Sequence, residues 1–148
     1  MIYTPMTVRA MEIAYIAHAG QMDYCGVPYV FHPYHLAEQM DDEISCTVAL
    51  LHDVVEDTDI TLEALQREFP KEVTDAVALL THDESVDYLA YVQALGHHPV
   101  ARKVKLADLA HNSDETRDVK SSLSQEQKNW WKEKYGRAKA ILLDMKDE

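Results

Sequence analysis

One imidazole and three carboxylates follow an apolar run in the first half of the chain. In the segment ALLHDVVEDT, residues 49–58, these groups belong to His52, Asp53, Glu56 and Asp57. Residues three or four positions apart share one face of a helix, so the spacing predicts that these groups crowd one helix end. Burying several carboxylates is costly unless a positive group lies among them. A divalent cation would supply that charge, with His52 and Asp53 as ligands and an acid one turn further to handle water.

A second cluster of polar residues lies on a helix predicted over residues 100–112. Four residues fall at three- and four-residue steps on one face, with leucine, valine and alanine covering much of the rest: Lys105, Asp108, His111 and Asn112. An aspartate in such surroundings is partly buried and needs a partner. A cation shared with the central His-Asp pair would provide one. The alternative is an ion pair of Asp108 with Lys105 or Arg102.

Two histidines lie where a loop meets a short helix. His32 and Pro33 open a helix predicted to end at Met40, and proline suits its first turn. His32 therefore sits at a rigid junction from which its ring could reach an ion. His35 is three residues further and could share the same face, but we favour His32 as the ligand.

The three regions around His32, His52 and Asp108 supply matching groups. A metal site is therefore favoured over the alternative, a helix end with solvated acids and an incidental histidine.

Capping residues and apolar periodicity predict seven or eight helices and no strand. The predicted helices cover residues 5–19, 32–40, 44–55, 62–69, 71–82, 88–95, 100–112 and 126–146. We therefore expect an all-α helical bundle, with residues 1–148 forming one domain. The two motif helices should pack centrally, and the last helix should cover the core; its pattern leaves a dimer contact open.

The charge of the chain restricts its partners. Fourteen basic and 26 acidic residues give a net charge of −12, which disfavours binding to nucleic acid or to an anionic membrane. A small phosphorylated substrate is still compatible, because a bound cation and a few basic residues can invert the field inside a pocket. The N-terminal residues do not form a signal peptide, and Cys25 and Cys46 have no metal-like spacing, so we expect a cytoplasmic protein with free thiols.

Three segments of the sequence match one family. They are GQMDYCGVPYVFHP at residues 20–33, ALLHDVVEDT at 49–58 and VKLADLAHN at 104–112. Together they carry an H…HD…D pattern that resembles the HD-domain phosphohydrolases. It is more closely similar to the hydrolase domain of the RelA/SpoT alarmone enzymes, which remove pyrophosphate from the 3′ position of (p)ppGpp. The resemblance implies a helical HD-domain fold, and the length of the chain suggests a small stand-alone hydrolase.

The resemblance also implies roles for individual residues. The residues that match the four ligands of one divalent ion, commonly manganese in this family, are His32, His52, Asp53 and Asp108. Glu56 and Asp57 match the catalytic acid pair of the family. Asn112 matches an asparagine that lines the nucleotide pocket one turn beyond the last metal ligand.

The sequence departs from the family where guanine is recognised. Many members carry basic residues just after the GQ pair, whereas this chain has Met22, Asp23 and Tyr24. We expect Tyr24 to stack on a base instead. Lys105 and Arg117 are candidate contacts for phosphate groups.

Three functions remain open from the sequence. The first is an alarmone-type 3′-pyrophosphohydrolase, and the second is an HD-domain phosphohydrolase acting on another substrate, such as a nucleoside monophosphate. A two-metal form of the second could use His82 and either His97 or His98. The third is a non-catalytic nucleotide-binding module, which the intact acid pair argues against. All three imply a small phosphorylated nucleotide as the ligand.

Overall fold

The computed structural model describes residues 1–119 and 123–145, and these residues form an all-α bundle without a β-strand. The helices are α1 (Pro5–Ala17), α2 (Phe31–Glu38), α3 (Glu43–Leu51), α4 (Val54–Asp57), α5 (Leu62–Gln66), α6 (Lys71–Leu80), α7 (Tyr88–Gly96), α8 (Pro99–Asn112) and α9 (Gln125–Asp144), with a 3₁₀ turn at Glu115–Arg117. The all-α prediction is confirmed. The predicted end of the last helix at residue 146 lies outside the described residues.

Polar side chains cap the start of six helices. Each accepts a hydrogen bond from the backbone N–H three residues further along, which satisfies a donor that the helix itself leaves free. The six residues are Thr4, Asp42, Thr61, Asp87, His98 and Ser124. These local signals explain why the helix starts agree with the sequence pattern.

Helix α3 lies at the centre of the bundle. It packs against α1, α2, α6 and α8, and every residue from Ser45 to Leu51 is buried. An apolar helix surrounded by four others needs no polar face. The position of α3 fixes where the residues that follow it, His52 and Asp53, enter the interior.

The prediction of one continuous motif helix over residues 44–55 is wrong. Helix α3 ends at Leu51, and α4 starts again only at Val54. The ring of His52 bonds to the carbonyl oxygen of Ala49, a local side-chain contact that competes with the helical pattern, and Asp53 has φ −106° and ψ −1°. The candidate metal ligands His52 and Asp53 therefore lie at a break between two helices and not within one helix.

Helix α9 covers one end of the bundle. It packs against α7 and α8, where Ala138 and Leu142 are buried. This packing turns Lys134 and Tyr135 toward the same cavity as Asp108. In the part of the chain that the structure describes, no helix combines the length and apolar character needed to cross a bilayer.

We predict that Leu142→Ala lowers the free energy of unfolding by about 3 kcal/mol, because a buried leucine loses its contacts and leaves a cavity. The adjacent Leu143→Ala is a matched control, since Leu142 is 1% exposed and Leu143 is 62% exposed. Denaturant unfolding of both variants measures the difference. Equal stability of the two variants would show that α9 does not pack as described.

Candidate metal centre and active site

Four side chains from three parts of the fold converge in the interior. His32 Nε2 lies 2.9 Å from Asp108 Oδ1 and 3.7 Å from Asp53 Oδ2. His52 Nε2 lies 2.9 Å from Asp53 Oδ2 and 3.7 Å from Asp108 Oδ1. Atoms that bind one ion at about 2.1 Å are roughly 3 Å apart when they are neighbours in an octahedron. The atoms of His32, His52 and Asp53 therefore have the spacing of ligands to a single divalent cation, and Asp108 Oδ1 lies close to both histidines.

The hydrogen bond of His52 fixes which of its ring nitrogens could bind a metal. Nδ1 lies 2.7 Å from the carbonyl oxygen of Ala49, and a carbonyl only accepts, so Nδ1 carries the proton. Nε2 is therefore the ring nitrogen that faces Asp53 and Asp108. This Nε2 is buried and has no aligned hydrogen-bond partner among the described residues. A lone pair facing carboxylates needs a proton or a cation between them, which supports the fit to a metal ion.

The electrostatics of the cluster also favour an added positive charge. Burial alone would lower the pKa of His52, but Asp53 and Asp108 raise it well above its usual value. Burial alone would raise the pKa of Asp108, but Lys105 and the imidazoles hold it well below its usual range. The carboxylates stay charged in a site that is nearly closed to water. A bound cation would offset their charge more fully than Lys105 does alone.

His32 and Asp53 are held by neighbours outside the cluster. His32 Nδ1 lies 2.7 Å from His111 Nδ1, and the two rings stack with their centroids 5.0 Å apart. Burial and the charge of Arg117 lower the pKa of His111 to about 4, so this ring is neutral near pH 7 and can accept the proton of His32 Nδ1. The hydroxyl of Tyr29 donates to Asp53 Oδ2. These contacts leave His32 Nε2 directed at the cluster.

Three of the four side chains, those of His52, Asp53 and Asp108, line a cavity of about 200 Å³. Its lining is Tyr29, His52, Asp53, Glu56, Asp57, Leu80, His82, Tyr88, Tyr91, Lys105, Asp108, Asn112, Lys134 and Tyr135. The acid pair that the sequence indicates therefore faces the same space as the candidate metal ligands. The cavity is polar, and its walls come from α4, α7, α8 and α9.

Glu56 and Asp57 project from α4 at the side of this cavity. Glu56 Oε1 accepts a hydrogen bond of 2.6 Å from the backbone N–H of His82. Much of each side chain is exposed, but the carboxyl groups lie inside the cavity, and this partial burial together with the charge of Asp53 raises the pKa of both. Each group is thus a better proton acceptor than a carboxylate in open water.

Lys105 and Asn112 both contact Asp108. Lys105 Nζ lies 2.9 Å from Asp108 Oδ2, and Asn112 Nδ2 donates to Asp108 Oδ1 at 3.0 Å. The ion pair that the sequence left as an alternative to a metal is therefore formed, but it uses a different carboxylate oxygen from the one that faces the histidines. Lys105 and Asn112 also line the cavity, so each could contact a ligand there.

A second cavity of about 340 Å³ adjoins the first. The two share Asn112 and Tyr135, and Tyr24 lines the second, where its ring meets that of Trp131 edge to face at 5.0 Å. The hydroxyl of Tyr24 donates to the carbonyl oxygen of Asn112 at 3.1 Å. The stacking position expected for Tyr24 thus lies beside the candidate catalytic groups.

Arg117 does not line either cavity. Its guanidinium pairs with Asp23 at 2.7 Å, donates to the carbonyl oxygen of His111 and lies 5.7 Å from the centre of the Tyr24 ring. Asp23 also accepts hydrogen bonds from the backbone of its own loop. The structure therefore does not place Arg117 in the cavity with Lys105, the other residue that the sequence singles out as a phosphate contact.

The histidines considered for a second metal lie apart from the cluster. His82 lines the cavity, but its ring bonds to the carbonyl oxygen of Val86. His98 accepts a hydrogen bond from Ala101 N and so caps α8, while His97 is exposed. Among the described residues, none of these three joins a group with metal-ligand spacing.

Three residues that line the cavity were not identified from the sequence: Tyr88, Tyr91 and Lys134. His111 was identified beside Asp108, but its contact with His32 was not predicted. The helical spacing places His111 on the same face as Asp108, but nothing in that spacing indicates a contact with His32. Lys134 belongs to a helix that is distant in sequence, so only tertiary packing reveals it.

Comparison with known proteins places the chain in a family. It is 35% identical over 125 residues to a GTP pyrophosphokinase of Streptomyces coelicolor, a match that covers 76% of this chain and 15% of the relative. It is 37% identical over 118 residues to the human guanosine-3′,5′-bis(diphosphate) 3′-pyrophosphohydrolase MESH1, covering 71% of this chain and 66% of the relative. No protein-family model matches the sequence.

The fold agrees with these relatives. A solved structure described as a metazoan orthologue of SpoT that hydrolyses ppGpp superposes with a TM-score of 0.78 at 23% identity, over 99% of this chain and 90% of that one. The helical bundle is thus that of an HD domain. The chain belongs to the RelA/SpoT-like family of HD-domain hydrolases, as the sequence pattern predicted. It spans only about 15% of the length of the bacterial pyrophosphokinases that it matches.

We predict that Asp108→Ala loses bound divalent metal, because the variant removes a carboxylate that faces both histidines. Asp83→Ala is the matched control, since Asp83 follows a histidine as Asp53 does but is exposed on a loop. Metal content per chain after loading with manganese and desalting measures the effect. A folded Asp108→Ala protein with the metal content of the wild type would contradict the site.

Proposed function

We propose that this protein is a metal-dependent 3′-pyrophosphohydrolase of guanosine 3′,5′-bis(diphosphate) or of a closely related nucleotide. The observation that carries the proposal is the convergence of two histidines and two aspartates beside an acid pair in one cavity. The similarity to MESH1, whose name states this activity, supports the choice of substrate class. A pure binding module would not need the acid pair.

The proposed ligands of one divalent ion are His32, His52, Asp53 and Asp108. Nitrogen and oxygen donors together suit manganese or a similar borderline ion, and manganese is our proposal for the bound metal. When bound, a divalent cation supplies Lewis acidity, which acidifies water and offsets charge on a phosphate ester. Around it, Lys105 and Asn112 orient Asp108, while Tyr29 orients Asp53.

The proposed general base is Glu56. In the reaction, water adds to the phosphorus next to the 3′ oxygen, the bond between these two atoms breaks, and the 3′ oxygen takes up a proton. Glu56 would accept the proton from water, and its raised pKa suits that task. The backbone N–H of His82 holds one carboxylate oxygen and leaves the other for the water.

Asp57 has two possible tasks in this scheme. It could support Glu56, or it could donate the proton that the 3′ oxygen takes up. Burial and the charge of Asp53 raise its pKa, which favours the protonated form more than in open water. Lys105 and Asn112 would contact the substrate from α8, since both line the cavity. Charged and neutral donors side by side suit phosphate and sugar oxygens.

The base of the nucleotide would enter the second cavity, where Tyr24 and Trp131 offer aromatic faces. Stacking on an aromatic ring is tolerant of base identity. Met22 and Asp23 do not supply the basic platform for guanine that many family members have, and Asp23 is occupied by Arg117 and by its own loop. We therefore propose that base recognition is weak.

We predict that Glu56→Gln keeps its metal and lowers kcat by about 10²-fold or more, the usual scale for a general base. In the wild type the rate should fall as the pH drops through the pKa of Glu56, which is raised above the usual glutamate value of about 4.3. This acid limb should be lost in the variant. The exposed Glu84→Gln on the following loop is the control. Wild-type turnover in Glu56→Gln would mean that Glu56 is not the base.

We predict that the manganese-loaded protein converts ppGpp to GDP and pyrophosphate, and that kcat/KM differs by less than about tenfold when adenine replaces guanine. Product analysis over a panel of nucleotides, including nucleoside monophosphates, measures both. Release of orthophosphate from a monophosphate, with ppGpp left intact, would reject the proposed reaction. A strong preference for guanine would show that other residues recognise the base.

A further inference from the structure

Lys134 brings a second ammonium group to the cavity from a separate helix. It lies on α9, and its Nζ is 4.2 Å from the centre of the Tyr88 ring and 5.0 Å from that of Trp130. Lys105 Nζ lies 5.6 Å from the centre of the same Tyr88 ring. The two lysines thus meet around one aromatic side chain at the edge of the cavity that contains Glu56.

Lys134 differs from Lys105, the other lysine of the cavity, because it has no carboxylate partner among the described residues. Lys105 is neutralised by Asp108 at 2.9 Å, whereas the described residues place no carboxylate within ion-pair distance of Lys134. Its neighbour Glu133 instead pairs with Arg137. Aromatic rings hold the ammonium in place but do not cancel its charge. Burial and the proximity of Lys105 lower the pKa of Lys134, so the two like charges act on each other.

A bound anion would offset the repulsion between the ammonium groups of Lys134 and Lys105. Two ammonium groups repel each other, and a ligand with several negative oxygens could contact both. The surroundings otherwise oppose such a ligand, because Asp53, Glu56 and Asp57 line the same cavity and the chain has a net charge of −12. A lysine without a carboxylate partner is therefore the group best able to attract an anion there.

We propose that Lys134, together with Lys105, forms the subsite that binds the pyrophosphate group removed by the reaction. The inference rests on the proposed function for the identity of its ligand. The subsite lies in the cavity with the acid pair, whereas Tyr24 and Trp131 line the neighbouring cavity assigned to the base. The reacting phosphates and the base would thus bind on either side of Asn112 and Tyr135, which border both cavities.

Lysine binds phosphate as a point charge, so the effect of losing it is electrostatic. Replacing Lys134 by methionine keeps most of the apolar contact with Tyr88 and Trp130 but removes the charge. Arginine at the same position keeps the charge and can still lie over an aromatic ring. The pair of variants therefore separates the role of the charge from that of the side-chain packing.

The test measures binding of inorganic pyrophosphate to the manganese-loaded protein by calorimetry, with metal content checked after titration. Lys134→Met should raise Kd by about tenfold, the effect of losing one charge-assisted hydrogen bond, and Lys134→Arg should restore most of the affinity. Lys139→Met is the control, because Lys139 is exposed on the same helix and does not line the cavity. With ppGpp as substrate, KM should rise more than kcat falls.

Unchanged affinity of Lys134→Met for pyrophosphate would overturn the subsite, and so would an equal loss in Lys139→Met. An affinity loss that Lys134→Arg does not restore would show that packing, and not charge, is responsible. If pyrophosphate binding depends on Lys134 while ppGpp stays intact, the subsite stands and the proposed function fails. If ppGpp is hydrolysed and Lys134→Met binds pyrophosphate like the wild type, the function stands and the subsite fails.

Discussion

The fold depends on the burial of Asp53 and Asp108 beside two imidazoles. Neither carboxylate can be left in the interior without compensating charge, so α2, the break after α3, and α8 must all meet at one point. His32, His52 and Lys105 provide part of the compensation. A divalent cation would complete it, and the need for such an ion explains why polar groups occupy the centre of an otherwise apolar bundle.

The same constraint shapes the surroundings of the site. The carboxylates that line the cavity repel a phosphorylated ligand, so binding needs positive charge in the same cavity. Helix α8 supplies Lys105 and α9 supplies Lys134, both around Tyr88. The cation–π contacts hold Lys134 without neutralising it, whereas Lys105 also pairs with Asp108. A strongly acidic protein can in this way present a local site for an anion, and its net charge does not decide the sign of the field inside a cavity.

The sequence was sufficient for the parts that depend on local rules. Thr4, Thr61 and Asp87 begin helices because their side chains cap them, and the three motifs identified the family. The break between α3 and α4 at His52 could not be predicted, because the residues on both sides of it follow the same helical spacing as one continuous helix would. The contact between His111 and His32 could not be predicted either, since tertiary packing determines which residues distant in sequence meet. The roles of the individual site residues stay predictions.

The central claim is that one divalent ion binds between His32, His52, Asp53 and Asp108. Anomalous diffraction from crystals of the protein loaded with manganese tests it most directly. We expect one anomalous peak bounded by His32 Nε2, His52 Nε2 and an oxygen of each aspartate, at distances of roughly 2.0–2.4 Å. A peak at Glu56 and Asp57 alone, or none between the histidines at full manganese loading, would contradict the account.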